Sequence, residues 1–277
     1  MWHIVSDSCC DLLELPVPAE NIDFSSVPFT IHIGDHEYVD DAEIAVEAML
    51  TDNETCKKAA TTACPSPQAW LERFSTEGPV LAFTISGALS GSYNSACTAR
   101  EMLREEQPDK QITVVDSKGT GPKLVLLIRK ACELIGQGLG FEEVSRAILE
   151  FSERSNIIFA LASYHNLIKN GRISRLAGVI AGHLGFWGIG IGDENGQIAM
   201  RGKTRGQTKM IRFMTEEIRR IGLTGREIII SHCLNPEAAQ RLKDALAELF
   251  RQIPILILPT RGLDSFYAER GGLIIGF

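Results

Sequence analysis

Hydroxyl, glycine and aspartate residues gather in four short stretches of this chain. They are Ser6-Asp7-Ser8, Thr61-Thr62-Ala63-Cys64-Pro65-Ser66, Ser86-Gly87-Ala88-Leu89-Ser90-Gly91-Ser92 and Asp116-Ser117-Lys118-Gly119-Thr120-Gly121. Three follow directly on short β-rich runs, and the fourth precedes a helical pattern. Hydroxyls and glycine amides at a helix start suit an anionic oxygen group. The first-turn N–H groups have no intrahelical partner, and the helix dipole favours negative charge. A carboxylate or a phosphate fits such a place. A single serine before a helix more often simply caps it, so Ser66 or Ser90 alone is a weak signal. The convergence of several such loops at one sheet edge is what carries the reading.

The chain lacks the patterns that would turn these residues into familiar catalytic machinery. Ser90 has no glycine two residues to each side, as a nucleophile elbow requires, and no phosphate-binding Walker loop occurs. His3, His32, His36, His165, His183 and His232 are scattered, with no metal-ligand spacing; no metal and no cofactor are expected. An enzyme remains open as an alternative, a phosphotransferase or hydrolase using Ser90 as nucleophile with Asp7 or Asp116 nearby. A regulatory α/β module with a vestigial pocket is the other.

Positioning these loops falls to an alternation of short β-rich runs and helical patterns. Strands are predicted at His3–Val5, Val27–Ile33, Val80–Ile85 and Ile112–Val115. Helices are predicted over Ala42–Leu50, Ser66–Phe74, Ser92–Glu105 and Lys123–Gln137. This alternation predicts an α/β fold with a mainly parallel sheet and crossover helices, whose ligand sites lie beyond the carboxyl ends of the strands. Gly34-Asp35 reads as a hairpin turn. Beyond Phe141 come a helix to about Arg154, a strand at Ile157–Ala162, a glycine-rich stretch, and a hairpin of Gly185–Gly192 with Gln197–Met200. Further units follow: helices at Gln207–Ile221 and Pro236–Phe250, and strands at Glu227–His232, Ile255–Leu258 and Leu273–Phe277. We place a domain boundary near residue 155, giving an N-terminal α/β domain (1–155) with the anion site and a C-terminal α/β domain (156–277).

The 277 residues, 44% hydrophobic and 23% charged, lie in the globular range and suffice for two domains and a sizeable core. A formal charge of -7 argues against nucleic acid or anionic lipid as a partner of the whole surface. The seven cysteines show no repeated CxxC spacing. They read as reduced thiols used as small apolar residues. No secretory signal is evident at the N-terminus, and the most apolar stretch, Ala177–Gly192, is too short and glycine-rich for a spanning helix. A cytoplasmic location without stable membrane insertion is the expectation.

Seven motifs in order carry a resemblance: Val5-Ser6-Asp7-Ser8, Val27-Pro28-Phe29, Tyr38-Val39-Asp40-Asp41, Thr62-Ala63-Cys64-Pro65-Ser66, Leu89-Ser90-Gly91-Ser92-Tyr93-Asn94-Ser95-Ala96, Val115-Asp116-Ser117 and Lys169-Asn170-Gly171-Arg172-Ile173. Together they resemble the DegV family over essentially the whole chain. That resemblance implies a non-catalytic two-domain protein that binds one long-chain fatty acid, in many bacteria as the acyl-presenting subunit of a fatty acid kinase. It implies that Thr62 and Ser90 hold the carboxylate, that Gly91 and Ser92 donate amides to it, and that Asp7, Ser8 and Ser117 lie around it. Two departures stand out. Ala63 takes the place of a second hydroxyl residue, and Tyr267 falls where many members carry a histidine.

If a fatty acid binds, its tail needs an apolar wall. The candidates are Leu176–Ile191, with glycines Gly178, Gly182, Gly185, Gly188 and Gly190 allowing close approach, and the strands Ile157–Leu161 and Leu273–Phe277. Phe186 and Trp187 would then influence tail length or kink tolerance. The same stretch read without the resemblance is more simply core. Between Lys169 and Arg212 lie eight basic residues against Asp193 and Glu194. Arg172, Arg201, Lys203 and Arg205 form a candidate docking face for an acidic kinase partner, with a solvated face as the plainer alternative.

Overall fold

The computed structural model describes residues 1–15, 21–174 and 185–277. Strand β1 (Trp2–Asp7) is central in a parallel sheet with β2 (Ile22–Val27), β6 (Val80–Thr84) and β7 (Ile112–Asp116), ordered β2-β1-β6-β7. Its strands are rich in β-branched residues, and β6 is buried along its whole length, as a strand covered on both faces must be. On one face pack α2 (Pro67–Phe74) and α3 (Ser92–Glu106). On the other lie α4 (Pro122–Gly136) and α5 (Phe141–Arg154).

A second, six-stranded sheet combines β8 (Ile157–Leu161), β9 (Phe186–Gly192), β10 (Ile198–Arg205), β11 (Ile228–His232), β12 (Ile255–Pro259) and β13 (Leu273–Gly276) in the order β10-β9-β8-β13-β11-β12. It is antiparallel except for the β11–β12 pair. Helices α7 (Gln207–Ile221) and α8 (Pro236–Leu249) cover its far face through Ile228, Ile230, Met210, Met214 and Leu242. At the β11 end its near face meets α4, where Ile229 packs with Leu124, Leu127 and Ile128. Helix α4 is thus buried on nearly all sides, with apolar side chains serving both sheets.

A small antiparallel sheet, β4-β3-β5, is built from β3 (Thr30–Ile33), β4 (His36–Val39) and β5 (Ala60–Ala63), with α1 (Val46–Thr55) beside it. Val27–Ile33, expected as one strand, divides between two sheets. Pro28 has no N–H to extend the parallel ladder, and the chain turns there. The helix expected at Ala42–Leu50 starts later, at Val46. Strand β5 went unread because Thr61 and Thr62 sit in a run of only four residues. Gly34 takes positive φ (62°) at the first position of the two-residue β3–β4 turn, the place glycine holds in a II′ hairpin.

The near face of β8, β9 and β10 bounds an internal space. Strand alternation places Ile157, Phe159 and Leu161 of β8 on this face, and Gly188, Gly190 and Gly192 of β9 beside them. These glycines are seats for neighbouring side chains: a Cβ at Gly190 would overlap the Phe159 ring, one at Gly188 the Tyr164 ring, and one at Gly192 would lie 2.8 Å from Ile157 Cγ2. Gly190→Ala should therefore destabilise the protein by about 1–3 kcal/mol, the usual cost of overpacking. A denaturant midpoint equal to that of the wild type would contradict this placement.

Candidate functional site

The strand ends and loops surround a cavity. Its wall is mostly apolar: Phe29, Ile85, Phe159, Leu161, Leu167 and Ile274. Polar side chains from separate segments reach it: Thr62 from β5, Ser90 from the turn before α3, Arg172 from the loop after α6 (His165–Lys169), and Tyr267 from α9 (Gly262–Ala268), with Lys118, Thr120, Gln197 and Asp264 also in the lining. The hydroxyls of Thr62 and Tyr267 lie 2.9 Å apart. Arg172 is held by hydrogen bonds from its guanidinium to the carbonyls of Leu89 (2.9 Å) and Asn170. Its charge is near enough to favour ionisation of Tyr267, but burial dominates and pushes that phenol above its usual range. Tyr267 therefore stays a neutral hydroxyl near neutral pH, where a histidine in its place would change charge.

The Ser90 turn is built from beneath. Asp7 Oδ2, buried under the α3 N-terminus, accepts hydrogen bonds from the Ile85 amide (2.9 Å) and the Ser92 hydroxyl (2.7 Å). Burial pushes its carboxyl up to about 7. Ser90 Oγ in turn accepts the Ser92 amide at 3.2 Å, which leaves the Ser90 hydroxyl proton free to donate. A polar cleft adjoins the cavity at Leu89, Ser90 and Arg172 and extends over Gly87, Gly91 and Asn94.

The structure thus brings Thr62, Ser90 and Tyr267 to one cavity. Gly91 lines only the adjoining cleft. Ser92, expected to offer its amide to a ligand, is fully buried, with its amide used by Ser90 and its hydroxyl by Asp7. Ser8 accepts the Phe29 amide (3.0 Å), and Ser117 closes its own turn against Gly119. Asp7, Ser8, Ser92 and Ser117 are therefore supports of the site and do not line the cavity.

Phe186 and Trp187, expected to shape the tail slot, are not part of its lining. Strand alternation sends Trp187, with Ile189 and Ile191, to the opposite face against the α7 and α8 core. Phe186, at the strand end, lies under the Arg205 guanidinium, 5.7 Å from its ring centre. Of the expected wall, the residues numbered 176–184, with Gly178 and Gly182, lie outside the described residues.

Arg172, expected on a docking face, instead faces the cavity. Its loop follows β8 and α6, so a reading by strand ends rather than by charge count would have found it. Asp264 also lines the cavity and was missed, since nothing in its local sequence distinguishes it from a surface acid of a helix. Arg201, Lys203 and Arg205 alternate along β10 and point outward; Arg201 lies 3.6 Å from Glu217.

The two acids weighed as bases for Ser90 are both held by backbone amides. Asp7 is engaged as described, and Asp116 Oδ1 accepts the Gly87 and Lys118 amides. Among the described residues no histidine lines the cavity. The described residues also hold no group of three or more acidic, histidine or cysteine side chains fit for a metal ion, and no helix long and apolar enough to cross a membrane.

The sequence model of the DegV family, described as an uncharacterised protein family, matches residues 1–274. The chain belongs to the DegV family. A DegV domain-containing protein of Streptococcus pneumoniae is 41% identical over 276 residues, covering 100% of this chain and 98% of the relative. Among solved structures, the Streptococcus pneumoniae fatty acid kinase (Fak) B3 protein loaded with linoleic acid superposes with a TM-score of 0.97 at 40% identity, covering 100% of this chain and 98% of the other. A DegV family protein of Eubacterium eligens loaded with heptadecanoic acid gives 0.95 at 33% identity, covering 100% and 99%.

Burial also governs the cysteines. The thiols of Cys9 and Cys10 are pushed far up, Cys10 to about 12, and that of Cys233 is raised as well. Thiolate is the reactive form, so these three should resist an aromatic disulfide reagent at pH 8 in the native protein and react once it is denatured. Mass mapping of the modified cysteines checks this, and rapid native labelling of Cys9 would refute the buried environment.

Proposed function

We propose that this protein carries one long-chain fatty acid, with the carboxylate held by Thr62, Ser90, Tyr267 and Arg172 and the tail in the apolar part of the cavity. The observation that carries this reading is the meeting of the Thr62, Ser90 and Tyr267 hydroxyls and the Arg172 guanidinium, from four separate segments, at a space whose wall is mostly apolar. Residues 1–155 supply the Thr62 and Ser90 loops, and residues 156–277 supply Arg172, Tyr267 and most of the wall. The fatty acids held by the two structural relatives support it.

The energetics favour a division of labour. Each buried methylene contributes about 0.8 kcal/mol, so a tail of about fifteen contributes on the order of 10 kcal/mol before the costs of association. A charge-assisted hydrogen bond to the head group adds about 1.5–3 kcal/mol. Affinity then follows the tail, and the hydroxyls select a carboxylate and fix its orientation. Native mass spectrometry of the purified protein should release one fatty acid per chain; a protein that neither retains nor takes up a fatty acid would overturn the reading. Ser90→Ala and Thr62→Ala should each weaken retention by roughly tenfold or more with melting temperatures close to the wild type.

The likeness to the fatty acid kinase B3 protein supports a second step, presentation of the carboxylate to a kinase for acyl-phosphate formation. The outward row Arg201, Lys203 and Arg205 on β10 offers that partner a positive edge. Reversing all three to glutamate should impair acyl-phosphate formation by a fatty acid kinase while sparing fatty-acid binding. Unchanged turnover would remove this face from the docking surface.

A further inference from the structure

Behind the cavity wall two carboxyl groups meet with no cation between them. Asp264 lines the cavity from α9, and Asp11 follows the turn Ser8–Cys10 after β1; they are 4% and 7% exposed. One oxygen of each is engaged. Asp264 Oδ1 accepts from the Thr120 hydroxyl and from the Cys9 thiol (3.2 Å), and Asp11 Oδ1 accepts the Arg261 amide (2.8 Å). The second oxygens, Asp264 Oδ2 and Asp11 Oδ2, are buried with no hydrogen bond from a donor, and both converge on Gly121, where a Cβ would overlap them. Two ionised oxygens cannot face each other in a dry interior, whereas one proton between them satisfies both.

The neighbours are mostly acids and thiols, with the Ser231 hydroxyl acting on Asp11 to lower its value. Asp7 approaches from β1, Cys9 and Cys10 from the turn, Asp40 from the segment after β4, and Ser231 and Cys233 from the end of β11. The Arg261 guanidinium turns to Asp40 (3.7 Å) and the Asp41 carbonyl. Burial first, and the neighbouring acids second, raise Asp11 well above the ordinary range, and burial raises Asp264 to about 7.

We propose that Asp11 and Asp264 share one proton, and that this O–H···O bond clamps helix α9 against the turn after β1. Loss of the proton then loosens the cavity wall and speeds release of the bound chain. The release half rests on the fatty-acid reading above; the shared proton does not. Helix α9 carries Leu263, Asp264, Tyr267 and Ala268 of the lining, so its seating sets the shape of both head and tail regions. The sign follows from the raised value. A carboxyl held above its unfolded value stabilises the closed form fully below about pH 4, and that stabilisation fades as pH rises through about 7.

Two measurements decide it. In ligand-free protein with 13C-labelled aspartate carboxyls, Asp264 should titrate near neutral pH. Asp11→Asn, whose amide can donate to Asp264 Oδ2 while its carbonyl still accepts the Arg261 amide, should lower that midpoint by about one unit or more. An unchanged midpoint, or both carboxyls ionised at pH 5, overturns the shared proton, and the wild-type titration decides even if the variant does not fold. In the second, radiolabelled palmitate is allowed to transfer from the protein to excess phosphatidylcholine vesicles. Release should accelerate roughly tenfold between pH 5 and 7 and then level off, and by less than about threefold in Asp11→Asn or Asp264→Asn. Equal acceleration in wild type and variants overturns the clamp. Failure to load palmitate at any pH would instead sink the fatty-acid reading, leaving the titration to judge the proton.

Discussion

Asp40 accepts the backbone amides of both Gly262 and Leu263 at 2.9 Å, across more than 220 residues of chain. Helix α9 has no side-chain cap of its own, and its first amides are buried, so without that carboxylate they would be left unpaired in the interior. The rest of the cavity depends on this contact. It sets where Tyr267 meets Thr62 and how Leu263 and Asp264 face the lining. A wall made from the C-terminal part of the chain is thus seated by an acid from the first fifty residues, and its chemistry is inherited from both.

The same division explains what the sequence revealed. The hydroxyl loops were legible because three of them follow short β-rich runs and the fourth precedes a helical pattern, local patterns with a local physical cause. It was the resemblance to the DegV family, and not that pattern, that singled out Thr62 and Ser90. The roles within each loop were less legible, because Ser92 and Ser117 look alike in sequence to Ser90, and only packing decides which hydroxyl points outward. Ser92 is consumed by Asp7, a partner 85 positions away.

The face of a strand residue was the other blind spot. Phe186 and Trp187 were attractive as bulky residues in a glycine-rich stretch, but a strand alternates, and the hydrogen-bond register alone fixes which face each takes. In β9 the glycines won the cavity side and the larger residues the helix side. The parallel sheet and its crossover helices were legible from alternation, whereas the three-stranded sheet was not, since β5 is short and polar and acquires its identity from pairing with β3.

Helix α4 has a mechanical consequence. Its apolar side chains are committed at once to the parallel sheet and to β11 and β13, and the backbone of Pro122 lies so close to Gly276 that no side chain would fit between them. Swinging the two sheets apart like a clamshell would strip several of these residues from their neighbours at about 1.5–3 kcal/mol each. Traffic into the interior must then use small displacements of surface segments, with the two-sheet frame acting as a rigid chassis.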